Sequence, residues 1–571
     1  MRYFCVASDY DGTLARDGQV QPTTIAALKR VRASGRKLVL ATGRTIDSLL
    51  SAFPEMKVFD LVVAENGALL YNPATAERRA LANPPAPAFV AELQRRGIQP
   101  LDVGQCIIAT WQPNEADVLD VIRCQGLELQ VIFNKEAVMI LPSGVNKGTG
   151  LRVALDELGL SPHNSLGIGD AENDHAFLGI CECGVAVANA LPAIKDHADV
   201  VTAGAGGAGV EEIIDKLLTD DLASVSSRLK RHDILLGYTA DGGDFRFEPY
   251  DSRIIVAGPS GGGKSTIVTA ILERLIGSEY QVCVLDPEGD YDNFELCVSL
   301  GGPDRIPAAS EILELLKTGR QSISVNLLGV PLTDRPAYFV TLLSKLQELR
   351  AHTGRPHWLI VDEAHHLLPP ELDSMSLSIP RELGSFVLIT VHPESVSAVI
   401  RNEVNIVIAI GPDPSSVVRE ANPVAGEELY SPNMTSLEAR SGEMLLWKRD
   451  MREASRVALE PAKTELLRHK RKYATGELGA DKSFYFRGPA GKMNLRIQNL
   501  TLFAQIAEGI DDETWLYHLR RHDYSTWLRS AIKDVGIADE VAAIENDDEL
   551  PAAQSRAHII GAIRKQYTSP A

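Results

Sequence analysis

Residues 5–14 read CVASDYDGTL: a short apolar run that ends at Asp9, a second aspartate two positions on, and Gly12 behind it. An unbroken apolar run of this length predicts a strand buried on both faces rather than a half-exposed one. Side chains alternate along an extended chain, so Asp9 and Asp11 point to the same side of it, and Gly12 permits a sharp turn beyond them. Working outward, KLVLA (37–41), DLVVA (60–64) and SLGIG (165–169) repeat the plan, separated by helical stretches, to about residue 218. The pattern then restarts with RIIVAG (253–258), YQVCVLD (280–286), SISVNL (322–327), HWLIVD (357–362), SFVLIT (385–390) and NIVIAIG (405–411). Apolar strands alternating with helices predict an α/β fold with two doubly wound parallel-sheet domains in series.

The rest of the chain fits that reading. At 571 residues it exceeds what one hydrophobic core organises, and about three or four domains are expected. PPAPA (84–88) opens an inserted region, AGAGGAG (203–209) is a loop near the end of the first unit, and RHKRKYATGELGADKS (468–483) interrupts the pattern late in the chain. The expected domains are therefore residues 1–80 with 145–218, an inserted α/β cap at 81–144, a second α/β domain at 219–462, and a mainly helical piece at 463–571. No run reaches the roughly 18 apolar residues of a membrane span, and the N-terminus lacks a signal-peptide plan, so a cytoplasmic protein is expected. The seven cysteines are odd in number and scattered; buried free thiols are the expectation, because the Cys181–Cys183 pair has no second pair at zinc-site spacing. A net charge of −19 disfavours broad adhesion to nucleic acid or anionic membrane without excluding a local basic channel.

Asp-x-Asp-Gly alone is an ordinary turn. Its weight comes from company. Thr42, Gly43 and Arg44 follow the strand KLVLA, where a hydroxyl and backbone amides would hold phosphoryl oxygens. Lys147 brings a fixed positive charge to a helix start, and Asp170, Asn173 and Asp174 follow SLGIG. Sites in open α/β sheets form at the carboxyl ends of strands. Phosphate monoesters hydrolyse very slowly unaided, so a nucleophile, charge neutralisation and an acid are all needed. One aspartate would attack phosphorus while the other moves a proton, and a hard divalent cation would screen the carboxylates.

This order and spacing resemble the haloacid dehalogenase superfamily of phosphatases, in particular the Cof-like subgroup with a large α/β cap between its second and third motifs. The resemblance covers about residues 1–218. It implies that Asp9 is the nucleophile forming an aspartyl-phosphate and Asp11 the general acid/base. It implies further that Thr42 and Lys147 bind the phosphoryl group, with Gly43, Arg44, Asn66 and Asn173 alongside. Mg²⁺ would be held by Asp170, Asp9 and the backbone carbonyl of Asp11, with Asp174 in support. Glu65-Asn66-Gly67, in AENGA, also matches the subgroup. The cap, 81–144, carries no motif that names a substrate.

The second domain opens with a strand, a glycine-rich loop and a helix: Gly258, Pro259, Ser260, Gly261, Gly262, Gly263, Lys264, Ser265, Thr266. Glycines let backbone N–H groups close around a β-phosphate, Lys264 would bridge the β- and γ-phosphates of ATP, and Ser265 would ligate Mg²⁺. Asp362 ends an apolar strand where it would hold the Mg²⁺ shell, and Glu363 is placed to orient the attacking water. His365 and His366 lack zinc-helix spacing. VLDPEGDY (284–291), LITVHPESVS (388–397) with Thr390 and His392, and the lead-in ILLGYTADGGDFRF (234–247) resemble the HerA/FtsK group of translocase ATPases. That resemblance implies a homo-oligomer, a hexameric ring around DNA or polypeptide, with Arg401 as one arginine-finger candidate. There is little room for the β-barrel that precedes the P-loop in HerA proteins.

In 463–571, basic residues interleave with aromatics, which suits single-stranded nucleic acid; the plainer expectation is that Trp515, Tyr517, Tyr524 and Trp527 form a core of their own. Three functions compete: a bifunctional phosphatase–ATPase, a nucleic-acid motor that trims terminal phosphates, and a small-molecule kinase joined to a phosphatase. The adjacent Asp362-Glu363 pair counts against the last, since it indicates hydrolysis.

Overall fold

The structure, a computed structural model, describes the chain except residues 135, 260–261, 293, 320, 374–383, 422–441, 450, 452, 464–477, 479–482, 533, 548–549 and 568–571. The fold is α/β, with two doubly wound sheets in sequence. By contacts the chain divides into two compact units, Met1–Ala257 with Ile271–Glu460, and Gly258–Ala270 with Pro461–Ala571.

In the first unit, an eight-stranded sheet is centred on the strand Cys5–Ser8, flanked in parallel by Lys37–Ala41 on one side and Ser165–Gly169 on the other. Every residue of Cys5–Ser8 and Ser165–Gly169 is buried, which is why these strands read as continuous apolar or small runs instead of alternating. The register sets Ser8 opposite both Leu40 and Ile168. Asp9, Thr42 and Asp170 thus leave the sheet side by side at one edge. Between the hairpin strands Leu69–Asn72 and Glu77–Ala80 and the helix Lys147–Glu157, the chain builds a separate four-stranded antiparallel sheet with its own small core around Phe89, Leu93, Val118 and Ile140. A second apolar cluster, Ala68, Cys106, Ile107, Met139 and Leu141, joins that sheet to the main one.

An eleven-stranded sheet follows. Seven neighbouring strands, from Ile406–Ala409 across Arg253–Ala257 to Cys297–Gly301, run parallel. Four antiparallel strands extend it. The lead-in segment supplies two of these, Ile234–Thr239 and Asp244–Phe247, so it lengthens the sheet as a hairpin rather than forming a barrel. The strand Cys297–Gly301, half-buried and not apolar throughout, escaped the sequence pattern.

The two sheets of this unit meet through a buried polar cluster. The His163 ring faces Glu182 at 2.8 Å with one nitrogen and the Ser278 carbonyl at 2.7 Å with the other. Arg2 and the Tyr280 hydroxyl also donate to Glu182, and the Tyr250 hydroxyl donates to the His163 carbonyl. Burial alone would raise Glu182, but the His163 hydrogen bond and the Arg2 charge outweigh it and hold the carboxyl below its usual range. His357 accepts the Gln281 amide at Nδ1 and faces Asn164 Oδ1 at 3.2 Å through Nε2. Burial, with His163 and Arg355 nearby, drives its ring well below the usual histidine range.

In the second unit, Phe484, Phe503, Trp515, Tyr524, Trp527 and Ile559 share one core. A small hairpin, Phe484–Phe486 with Leu495–Ile497, packs there with helices that include Leu500–Ala507 and Ala552–Tyr567. Tyr517 is only half-buried and carries the Arg521 guanidinium over its ring, so it is not part of the core as expected. The basic RHKRKY segment, 468–473, lies outside the described residues. Of the cysteines, Cys124 is exposed and Cys297 half-buried, against the expectation of uniform burial; none is paired.

Candidate active site

The ends of three adjacent parallel strands concentrate charge. Lys147 is the first residue of its helix, whose start is fixed by a capping box between Asn146 and Thr149. Its ammonium, 1% exposed, donates to Asp9 Oδ1 and Asp174 Oδ1, each at 2.6 Å. The other Asp174 oxygen accepts the backbone amides of Asp170 and Ala171 at 2.8 and 2.9 Å, closing the loop after Ser165–Gly169. Thr13 Oγ1 donates to Asp170 Oδ1 at 3.0 Å. Burial would lower Lys147, but Asp174 and Asp9 overcome it and keep the ammonium charged. Burial and the neighbouring Asp174 raise Asp9, opposed by Lys147.

Carboxylate oxygens of Asp9, Asp170 and Asp174 lie within 4.8 Å of one another, all buried. Three buried carboxylates against one lysine leave negative charge that is costly in a dry site. A hard divalent cation bound through oxygen suits that donor set, so the residues present fit Mg²⁺.

Asp11 faces elsewhere. Its carboxylate takes a bidentate pair of hydrogen bonds from Arg44, both 2.6 Å, and the pairing raises Arg44 further. Arg44 therefore engages Asp11 here, in a cavity of about 610 Å³ lined also by Gly43, Thr45, Asp102, Ile107, Trp111 and Met139. Thr42, fully buried, accepts the Arg44 amide at Oγ1. Asn66 sits in left-handed backbone, φ 53°, and accepts Asn173 Nδ2 at 2.8 Å. Asn173 Oδ1 is buried without a hydrogen-bond partner, as expected of a group facing a ligand. Gly67 has φ 101°, and a Cβ there would lie 1.9 Å from the Asn146 carbonyl, so only glycine lets this turn meet the start of the Lys147 helix.

In the second sheet, Asp362 and Thr390 end or follow paired strands, Trp358–Val361 and Ser385–Thr390. Asp362 is buried and its Oδ1 accepts the Glu363 amide at 3.0 Å. Glu363 takes a left-handed backbone, φ 41°, a strain that often marks functional positions. His365 Nδ1 stands 3.1 Å from Thr390 Oγ1 and 3.5 Å from Glu363, and burial with His366 and His392 lowers it to about 4, leaving the ring neutral. Sequence spacing gave no sign of that contact, since His365 lies on the short helix Ala364–Leu367 and Thr390 ends the strand Ser385–Thr390. Asp286, fully buried at the end of Val282–Asp286, is pushed up to about 7 by burial, with Asp362 adding to it and the Tyr291 amide opposing. Arg401 donates to the Val396 and Glu420 carbonyls of its own chain, which gives it a local bracing role.

The glycine-rich loop, described apart from this sheet, has Gly258 and Gly263 at φ 151° and 98°. Lys264, largely buried, donates to the Gly258 and Pro259 carbonyls at 2.8 and 3.1 Å, and the amide of Thr266 bonds Gly263. Lys264 opens the helix Lys264–Gly277, which also carries Ser265. Gly262 bonds back to Pro259. Ser260 and Gly261 lie outside the described residues.

Aspartates after the central strand, a buried lysine at a helix start and a cap over the carboxyl ends define a hydrolase of the haloacid dehalogenase type. Residues 6–100 and 127–214 match the family model for haloacid dehalogenase-like hydrolase, and residues 251–335 match the central domain of helicase HerA. A phosphoglycolate phosphatase 2 of Saccharolobus solfataricus is 30% identical over 227 residues, 38% of this chain and 92% of that protein. A phosphoglycolate phosphatase of Haloarcula marismortui is 32% identical over 218 residues, 36% of this chain and 93% of that protein. A haloacid dehalogenase-like hydrolase structure from Bacteroides thetaiotaomicron aligns with a TM-score of 0.34 at 21% identity, covering 38% of this chain and 99% of that one. The chain belongs to the haloacid dehalogenase-like hydrolase family, and it carries that phosphatase together with a HerA-like P-loop ATPase domain.

Proposed function

We propose that the protein is a Mg²⁺-dependent phosphomonoester phosphatase that works through an aspartyl-phosphate at Asp9, joined to an ATP-hydrolysing domain that assembles as a homo-oligomeric ring. The observation that carries the first half is the Lys147 ammonium held between Asp9 and Asp174, beside Asp170. Lys147 fixes the Asp9 carboxylate and leaves its second oxygen to meet phosphorus. Asp11, held by Arg44 in the lining of the cavity, is within the same strand-end turn and would protonate the leaving oxygen, then take a proton from water. Mg²⁺, when bound by Asp9, Asp170 and the Asp11 carbonyl with Asp174 behind them, would neutralise charge between carboxylates and phosphate. Thr42, Gly43, Asn66 and Asn173 would hold phosphoryl oxygens. The relatives' names make 2-phosphoglycolate the first substrate to test.

For the second half, Lys264, Ser265 and the loop amides would bind ATP and Mg²⁺, Asp362 would hold the metal's water shell, Glu363 would orient the attacking water, and Thr390 would sense the γ-phosphate. The HerA match supports a ring; nucleic acid is its first candidate cargo, and a cytoplasmic setting suits both reactions. No helix among the described residues is long and apolar enough to cross a membrane. The test is a panel of phosphomonoesters assayed with and without Mg²⁺, alongside native mass spectrometry with and without ATP and DNA. Phosphate release that survives chelation would overturn the metal assignment, and a monomer under every condition would overturn the ring.

A further inference from the structure

Glu65 does something that the phosphate-binding machinery does not require. It follows the strand Leu61–Ala64 at 1% exposure in left-handed backbone, φ 52°. Its carboxylate reaches out of the main sheet to the hairpin tip between the inserted strands Asp102–Val103 and Ile108–Trp111. Oε1 accepts the Gln105 amide at 3.0 Å; Oε2 accepts the Cys106 amide at 2.8 Å and the Ile107 amide at 3.2 Å. Three amides on one carboxylate form a charge-assisted anchor, and removing it would strand buried donors. Gly104 completes the fit: a Cβ there would lie 2.8 Å from Glu65 Cδ and Oε2, so a larger residue would push the carboxylate aside.

The held hairpin is functional wall. Gly104 and Ile107 line the 610 Å³ cavity above Asp11, Gly43 and Arg44, as do Asp102 and Trp111 from the flanking strands. The next residue, Asn66, accepts from Asn173 and donates to Met139, another residue lining the cavity. One dipeptide therefore holds the inserted wall at two points.

We infer that Glu65 is a positioning residue, a clasp from the core that fixes the inserted hairpin 104–107 and so sets the size of the leaving-group compartment. Substrates whose leaving group fills the cavity depend on the clasp; those with a very small one do not. The inference rests on the phosphatase reading, and Asp9→Asn separates the two: it must abolish all phosphate release for the site itself to stand.

The experiment compares the full chain with Glu65→Ala, Gly104→Ala and the double variant on p-nitrophenyl phosphate, whose ring enters the cavity, and acetyl phosphate, whose leaving group is small. Glu65→Ala is expected to lower kcat/KM for p-nitrophenyl phosphate about tenfold or more, mainly through KM, while acetyl phosphate changes less than about threefold. Gly104→Ala is expected to give the same selective loss, and the double variant no more than the worse single one, because the clash needs the carboxylate. Equal losses on both substrates, no loss on either, or a double variant that falls by the product of the singles would overturn the clasp. Should Glu65→Ala fail to fold, Gly104→Ala carries the same selectivity test from the other side of the contact.

Discussion

The Lys147 ammonium lies 2.6 Å from Asp9 Oδ1, although the two residues stand 138 positions apart. The desolvation of this buried cation is offset chiefly by its contacts with Asp9 and Asp174. Lys147→Met should strand two carboxylates, lower stability by about 3–5 kcal/mol and cut phosphatase turnover by about a hundredfold or more. Urea unfolding and steady-state kinetics measure the two effects.

The two chemistries should separate by mutation. Lys264→Ala removes the charge that opens the phosphate loop's helix and should reduce ATP hydrolysis by about a hundredfold or more, with phosphomonoester hydrolysis unchanged. Both rates are measured on one preparation; parallel loss would mean that the phosphatase depends on nucleotide binding.

Acid should loosen the junction between the two sheets. His357 is held well below its ordinary 6.5 by burial, with His163 and Arg355 adding to it. A folded value below the unfolded one means that folding favours the neutral ring. That stability is complete above about pH 6.5 and is lost as pH falls through and below it. Protonation would also cost the acceptor that the Gln281 amide uses. Denaturant midpoints of His357→Gln should decline less steeply between about pH 6.5 and 5 than wild type, by about one proton in linkage slope.

Gly67→Ala should be severe for its size. The positive φ and the approach of the Asn146 carbonyl together predict a loss of about 2–4 kcal/mol, read by thermal unfolding, with displacement of Lys147 costing phosphatase activity besides.

What the sequence revealed follows from where information sits. Asp9, Thr42, Lys147 and Asp170 were legible because each follows an apolar strand or opens a helix, and strand ends on one edge of a parallel sheet converge. The parallel strands of the second sheet were legible for the same reason, apart from Cys297–Gly301, which is half-buried and polar in part. The Arg44–Asp11 pairing was not legible, because a motif supplies residue types and not the partner a side chain takes without ligand. Glu65's grip on residues 105–107 was hidden more deeply: its acceptor role is met by backbone amides, which any sequence provides. The His365–Thr390 contact joins a short helix to a strand end 25 positions away and leaves no periodic trace.

The central claim is that Asp9 carries the phosphoryl group. Brief reaction of the full chain with acetyl phosphate and Mg²⁺, an acid quench, borohydride reduction and peptide mass mapping test it directly. The account predicts homoserine in place of aspartate at position 9, absent from Asp9→Asn. Reduction at position 11 instead, or hydrolysis that proceeds at full rate with no reduced aspartate, would contradict it.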